Sequence, residues 1–350
     1  MFALACLLLF QIQSPGPPEH KISNLFHPLS TPARLEFNYS MLVFAITGVM
    51  FLVVGTLIVT TLIRFRKRSG DDASEPAQVY GSNRIEAAWT VIPMLVVFVL
   101  AGVTARVVWG VEDASPPKST VHVTVVGHQY WWEVRYPFYG VVTANEVHIP
   151  VSHNGQDATY FELQSKDVIH SFWVPELGGK TDLIPGRLNH MWLDPSEAGV
   201  YWGSCTEFCG VQHAQMLLQV VAQEPADFQK WIQDQQQGHP LTPPAPPSIT
   251  PVSLTTPAVQ TAADRGARKF MLCAGCHSVQ GTRYRGMTGP DLTHLMSRRR
   301  IASGVLENTS ENLRAWLANP QDAKPGCLMP DMKLAGKNLD DLTAYMETLK

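Results

Sequence analysis

Charge and cysteine are both scarce in this sequence: 16% of its 350 residues are Asp, Glu, Lys or Arg, and six are Cys. Six thiols are too few for a disulfide scaffold in a chain this long. A net charge of −3 offers no bulk basic surface for nucleic acid. There is no internal repeat, no phosphate-cradling glycine loop and no serine-nucleophile motif, which sets aside solenoids, nucleotide-phosphate binders and serine hydrolases. The first ten residues are apolar but lack a basic leader and are short for a secretory signal. Residues 1–37 read as an N-terminal segment with a truncated or mis-started signal; Cys6 after Leu4-Ala5 is only a weak match to a lipoprotein site.

Where charge is absent, apolar runs stand out. Residues 41–63 and 87–105 contain no charged side chain and no polar face. Each is long enough to cross a hydrocarbon core of ~30 Å as a helix. Arg64, Arg66, Lys67 and Arg68 lie between them, and a basic connection marks the cytoplasmic side. A transmembrane hairpin over 38–110 is therefore expected, with spans near 41–63 and 87–109 and everything after Trp109 on the outer face of a bacterial inner membrane. Neither span contains a histidine, so this chain holds no haem iron or copper within the lipid.

Beyond Trp109 the pattern changes to period two, with Val121, Val123 and Val125 alternating with polar neighbours. Short β-rich stretches at 146–150, 159–163 and 216–221 follow, separated by turn residues, which predicts an all-β sandwich or barrel over 118–234. Residues 235–260 hold seven prolines and no charge and read as an extended linker. Helical patterns at 262–272, 311–319 and 340–349 then predict a small all-α module over 261–350. The β module carries 6 Lys/Arg against 13 Asp/Glu and the α module 13 against 9. Opposite signs suit two modules that attract each other.

Four cysteines form two close pairs, each with a histidine nearby. Cys205, Cys209, His213 and Met216 fall within twelve residues, and His170 lies upstream. Two thiols, two imidazoles and a thioether suit copper, with each thiolate able to bridge two ions. A tetrahedral zinc site draws on the same thiols and imidazoles, and spacing alone leaves the two metals near parity. Met216 favours copper, because zinc makes no use of a thioether. The second pair, Cys273-Ala-Gly-Cys276-His277, is a c-type haem attachment motif. Met329, in Leu328-Met329-Pro330, is the expected distal ligand opposite His277, with Met332 the next candidate and Met287 and Met296 behind it. Cys327 is a lone thiol read as structural.

The run from Asp167 to Met216, including Gly179-Lys-Thr-Asp-Leu-Ile-Pro-Gly-Arg187, resembles subunit II of haem–copper cytochrome c oxidase. The likeness covers roughly residues 38–231 and implies a cupredoxin-like Greek-key barrel holding a dinuclear copper A centre. It implies His170, Cys205, Cys209, His213 and Met216 as side-chain ligands, with Glu207 giving its backbone carbonyl to copper and its carboxylate to a magnesium ion shared with the catalytic subunit. It further implies Glu86 at the mouth of a proton-uptake path, where a helix-start acid favoured by the dipole is the simpler reading. Tyr130, Trp131 and Trp132 match the aromatics that receive electrons, although large aromatics are more often core. Two positions depart from the family. Tyr130 stands where relatives that dock a free cytochrome commonly have tryptophan, and Lys166 where an acid would help attract one.

The last module resembles a class I cytochrome c. A haem c module fused behind a copper A domain is the layout of caa-type oxidases, and a tether supplies an effective concentration of ~mM. The resemblance implies the electron-input subunit of a proton-pumping oxidase, passing electrons from haem to copper and on to a catalytic subunit that reduces dioxygen. Its implied partners are catalytic subunit I, subunit III, membrane lipid and a donor such as a cytochrome c or quinol–cytochrome c reductase. No nucleic acid is expected. The alternatives are the arm of a different terminal reductase and a copper-binding assembly protein.

Overall fold

The computed structural model describes residues 24–66, 78, 80–112, 121–153, 157–237 and 261–350. The N-terminal signal or lipoprotein reading, Lys67 and Arg68, and nearly all of the Pro-rich linker lie outside them.

Two long helices come first, α1 (Thr31–Arg64) and α2 (Asn83–Glu112). Both are long and apolar enough to cross a membrane, and their apolar side chains are exposed in the isolated chain. Exposed Leu, Val, Ile and Phe at this density are stable only against lipid or a partner. α1 begins inside the stretch assigned to the N-terminal segment, because Ser30 caps it: its Oγ accepts from the Ala33 N–H at 3.2 Å, and Pro32 occupies the first turn.

The outer ends of both helices are tied to the β domain. Asp194 accepts from Thr31 N (2.8 Å) and Thr31 Oγ1 (2.5 Å), and Ser30 Oγ donates to the Leu177 carbonyl. Leu29 N donates to Glu176 O at 2.8 Å. From the other helix, the Val111 carbonyl accepts from Trp192 Nε1 at 2.7 Å.

Ten strands make two five-stranded sheets. One is ordered β3 (Val141–Ala144), β2 (Trp131–Tyr136), β1 (Val121–His128), β5 (Thr159–Ser165), β8 (Asn189–Leu193); the other β4 (Glu146–Pro150), β10 (Leu217–Gln223), β9 (Gly199–Cys205), β6 (His170–Trp173), β7 (Thr181–Leu183). β1 pairs with β5, and β10 with β4, in parallel; the other pairs are antiparallel. Crossing between sheets in this way yields the expected cupredoxin-like architecture. The alternation seen in the sequence is the core: Val121, Val123, Val125, Trp132, Val134 and Tyr136 are buried between the layers. α3 (Pro225–Gln236) closes one end with Phe228 and Ile232, and its Trp231 stacks on His148 at 4.0 Å.

The third module is helical: α4 (Ala262–Lys269), α5 (Ser310–Ala318), a single-turn α6 (Pro320–Ala323) and α7 (Gly336–Met346). Thr261 and Asp264 form a reciprocal capping box at the start of α4. α4 crosses α7 so closely that a Cβ on Gly266 would lie 1.9 Å from the Asp341 carbonyl oxygen. Arg265 and Lys269 both bond the buried Asp341 carboxylate, each at 2.6 Å.

Candidate functional site

Two loops meet at one end of the sandwich. β6 begins with His170, β9 ends with Cys205, and a tight loop then carries Cys209, His213 and Met216 before β10. Pairing of Phe172 with Cys205 sets the two halves in register. The result is a ring of donors. Cys205 Sγ lies 3.8 Å from His170 Nδ1 and 3.8 Å from Cys209 Sγ. Cys209 Sγ in turn lies 3.8 Å from His213 Nδ1 and 3.9 Å from Met216 Sδ. The Glu207 carbonyl is 3.2 Å from Cys205 Sγ. All six ligands expected from the sequence therefore converge.

Both thiols are free and buried, and their separation is far beyond the ~2.05 Å of a disulfide. Each has its own imidazole and its own weak donor, a carbonyl beside Cys205 and a thioether beside Cys209. That symmetry fits two ions bridged by two sulfurs, with copper preferred because a thioether completes the set. In the metal-free pair Cys205 titrates well below the ordinary thiol range, because Cys209 donates to its thiolate. Cys209 is pushed up by that shared proton.

Around the ring is a supporting layer with no role assigned from sequence. His170 is fully buried, and its Nε2 lies 2.8 Å from Asp167 Oδ1, which leaves Nδ1 facing the thiols. Burial raises Asp167, but bonds from His170, Gln129 N and Val168 N outweigh it and hold the carboxyl below its ordinary range. Gln129 also donates through Nε2 to the Cys209 carbonyl at 2.6 Å. A carboxylate three residues before a candidate histidine was the available signal for Asp167. Gly127 is needed here too, since a Cβ would sit 2.7 Å from the His170 ring.

Among the aromatics, Trp132 is fully buried with its ring edge-on to His170 (6.0 Å) and Phe172 (5.9 Å). Tyr130 and Trp131 turn the other way and line a large cavity shared with the helical module. Trp131 stacks on His128 at 4.3 Å. A Cβ at Gly210, beside Cys209, would lie 2.5 Å from the Tyr130 hydroxyl. Tyr130 thus spans from the copper loop to the cavity.

The cavity is walled on its far side by Cys273, Cys276, His277, Arg298, Met329 and Met332. His277 Nδ1 donates to the Pro290 carbonyl at 2.8 Å, which leaves Nε2 free for a metal. Burial, which favours the neutral ring, holds His277 below its ordinary value. Gly289 makes room for that ring: a Cβ there would approach it to 2.6 Å. Arg298 is buried, and its Nε has no hydrogen-bond partner in the protein. A porphyrin propionate would supply an acceptor for this donor, while Nη2 of the same guanidinium already donates to the Asp291 carbonyl. Two thiols, a free imidazole nitrogen, a thioether and an unpaired guanidinium Nε together fit a covalent haem. Met287 is 83% exposed and off the cavity wall, whereas Met329 packs partly against the module's core. Gln321 holds the Met329 loop, donating to the carbonyls of Cys327 (3.0 Å) and Met329 (2.9 Å).

Glu86 stands apart, in the first turn of α2, where its Oε1 accepts from the Ser82 N–H at 3.3 Å. That is the helix-start arrangement. The Glu207 carboxylate is exposed beside the copper loop.

Three family profiles match the chain: "Cytochrome C oxidase subunit II, transmembrane domain" over residues 24–107, its "periplasmic domain" over 141–223, and "Cytochrome c" over 263–350. The chain is 34% identical to cytochrome c oxidase subunit 2 of Alkalihalophilus pseudofirmus, over 92% of this chain and 90% of that one. It is 34% identical to cytochrome c oxidase subunit 2 of Bacillus sp. strain PS3, over 82% of this chain and 80% of that one. The solved periplasmic domain of cytochrome oxidase subunit II from Bradyrhizobium japonicum is similar over 35% of this chain and 96% of that one, at 28% identity and a TM-score of 0.33.

Proposed function

The chain belongs to the cytochrome c oxidase subunit II family, with a cytochrome c domain at its C-terminal side, and from that premise we propose how its residues divide the work of electron input. One observation supports the reading above others: Tyr130 lines the cavity walled by Cys273, Cys276 and His277, and its hydroxyl lies against Gly210, the neighbour of Cys209 in the donor ring.

A dinuclear copper centre and haem c, when bound, supply reversible one-electron chemistry at potentials set by their ligands. His170, Cys205, Cys209, His213, Met216 and the Glu207 carbonyl hold the copper. Cys273 and Cys276 would anchor the haem covalently, and His277 and Met329 would hold its iron. Tyr130 and Trp131 form the contact between the two sites, and Trp132 packs the far side of His170. Asp167 and Gln129 keep the copper ligands in place, so that little reorganises when the charge changes. The protein's outer domain delivers the electrons to the catalytic subunit, where dioxygen is reduced.

The finer assignments follow from the family likeness. The exposed Glu207 carboxylate is offered to a magnesium ion shared with subunit I, a hard cation suited to oxygen. Subunit III and lipid cover the apolar hairpin faces, and the copper and haem modules lie on the outer side of the bacterial inner membrane. A cytochrome c or a quinol–cytochrome c reductase donates to the haem. Glu86 contributes to proton uptake from the cytoplasmic end of α2.

The test is spectroscopic and kinetic on the purified intact complex. A near-infrared mixed-valence dicopper band, a low-spin His/Met haem spectrum and oxygen uptake are expected together. Zinc in place of copper, with no near-infrared band, would overturn the reading.

A further inference from the structure

The helical module sits on the copper domain through a defined set of bonds. Arg299 N and Arg300 N donate to the buried Glu146 carboxylate at 2.5 and 3.1 Å. Ser303 exchanges bonds with the Leu217 backbone, and the Arg300 guanidinium lies 5.1 Å over Trp202. His294 Nε2 meets the Gln235 carbonyl at 3.0 Å. Arg300 and Ser303 also line the cavity, and so does Lys324.

Lys324 is 2% exposed, and its Nζ donates to the Tyr130 carbonyl at 2.9 Å and reaches the Ala302 carbonyl at 3.5 Å. Both acceptors are neutral. Burying an amine against carbonyls alone is costly, and a lysine in such a place is otherwise disfavoured. Burial pushes Lys324 down to about 7, yet it can donate in either protonation state. The next two residues are seated on the copper loop itself. The Pro325 carbonyl accepts from Gln212 Nε2, and Gly326, at φ +87°, leaves no room for a Cβ beside Val211. Val211 and Gln212 lie between Cys209 and His213. Three residues beyond Gly326 comes Met329, on the loop that Gln321 organises.

We propose that Lys324 is a positioning residue for haem-to-copper electron transfer, a buried pin that holds the Met329 loop of the cytochrome module in register on Tyr130. The proposal rests on the electron-input reading above. Its physical basis is that transfer falls off exponentially with the gap between centres, so a small misplacement at this contact acts directly on rate. The outer contacts through Glu146, Leu217 and Trp202 bring the modules together, and the Lys324 bond sets where the cavity lies against Tyr130.

The experiment uses the intact oxidase with both centres loaded. A photoactivated one-electron reductant reduces the haem in a flash, and the near-infrared band reports arrival at copper. Loss of a buried hydrogen bond of this kind lowers the ratio of aligned to displaced forms by about tenfold. Lys324→Met is therefore expected to slow the transfer, by up to about tenfold, and to make it dependent on solvent viscosity. Both absorption bands and the far-red sulfur-to-iron band of the haem should stay intact. Lys324→Gln, which keeps an N–H donor, should recover part of the rate. An unchanged, viscosity-independent rate in Lys324→Met sinks the proposal while leaving the functional reading in place. A wild-type complex with no haem-to-copper transfer sinks that reading instead. Should Lys324→Met lose either centre, Lys324→Ala, which also removes the donor, decides by the same rate criterion.

Discussion

Asp167→Asn should weaken copper binding without removing a ligand. The carboxylate accepts three hydrogen bonds: Oδ1 takes His170 Nε2 at 2.8 Å and Val168 N at 2.7 Å, and Oδ2 takes Gln129 N at 2.6 Å. An asparagine oxygen can keep the first two, but its NH2 then faces the Gln129 N–H, donor against donor. The charge that makes the imidazole a better ligand is lost as well. Substitutions in this supporting layer reduce metal affinity about 10- to 100-fold, which is about 1.4–2.8 kcal/mol. Displacing Gln129 also disturbs its bond to the Cys209 carbonyl, so the upper half of that range is expected. The assay is a chelator competition against the metal-loaded outer domain in the intact chain, read by the near-infrared dicopper band. The band should keep its shape, and the copper potential should rise, because a less basic imidazole stabilises the oxidised pair less. Affinity within twofold of wild type would refute the role given to Asp167.

Three further outcomes follow from the same geometry. Gly266→Ala drives a methyl into the Asp341 backbone at 1.9 Å; overpacking of about 1–3 kcal/mol, only partly offset by better helix propensity, should lower the cytochrome module's melting point by several degrees, and an unchanged melt would mean that α4 and α7 do not cross closely. Asp341, bonded by Arg265 and then Lys269, is held at about 2, below its ordinary 3.8; that stabilisation is present above about pH 4 and lost as pH falls towards 2, so Asp341→Asn should flatten the acid limb of the unfolding curve. Met329→Ala should abolish the far-red sulfur-to-iron band and lower the haem potential with the dicopper band untouched, whereas Met332→Ala should leave all three; the reverse result would exchange the two methionines.

Much of this organisation could be read without coordinates, for a physical reason. Membrane spans, period-two strands and the two cysteine pairs are local patterns, and each carries its meaning within about twenty residues. The Glu207 carbonyl was the one copper ligand that needed the family likeness, since a backbone donor carries no signal in residue type, whereas His170 stood out as a histidine upstream of the loop although it comes from a different strand. What escaped was tertiary. Nothing adjacent to Lys324 announces that its partner is the carbonyl of Tyr130, because a backbone acceptor has no sequence signature. Gly266 reads as a weak spot in a helix until α7 is laid across it. Expected charge attraction between the modules takes a form that counting could not foresee: Glu146 accepts from backbone amides of Arg299 and Arg300, not from their guanidinium groups. Arg298, in the same basic run, instead turns inward with its Nε unsatisfied in the haem cavity.

The ties between the hairpin and the β domain have a mechanical consequence. A domain carried on one helix can spin about its stalk; one fastened at two separated points cannot. Here α1 is fastened at Ser30 and Thr31, to Leu177 and Asp194, and α2 is fastened at Val111, to Trp192. The copper loop is thereby presented at a set height and azimuth above the bilayer, and a tilt of the helices is transmitted to it as a rigid rotation. Stiffness of this kind leaves the acceptor stationary, so whatever angular search precedes electron delivery falls to the cytochrome module alone.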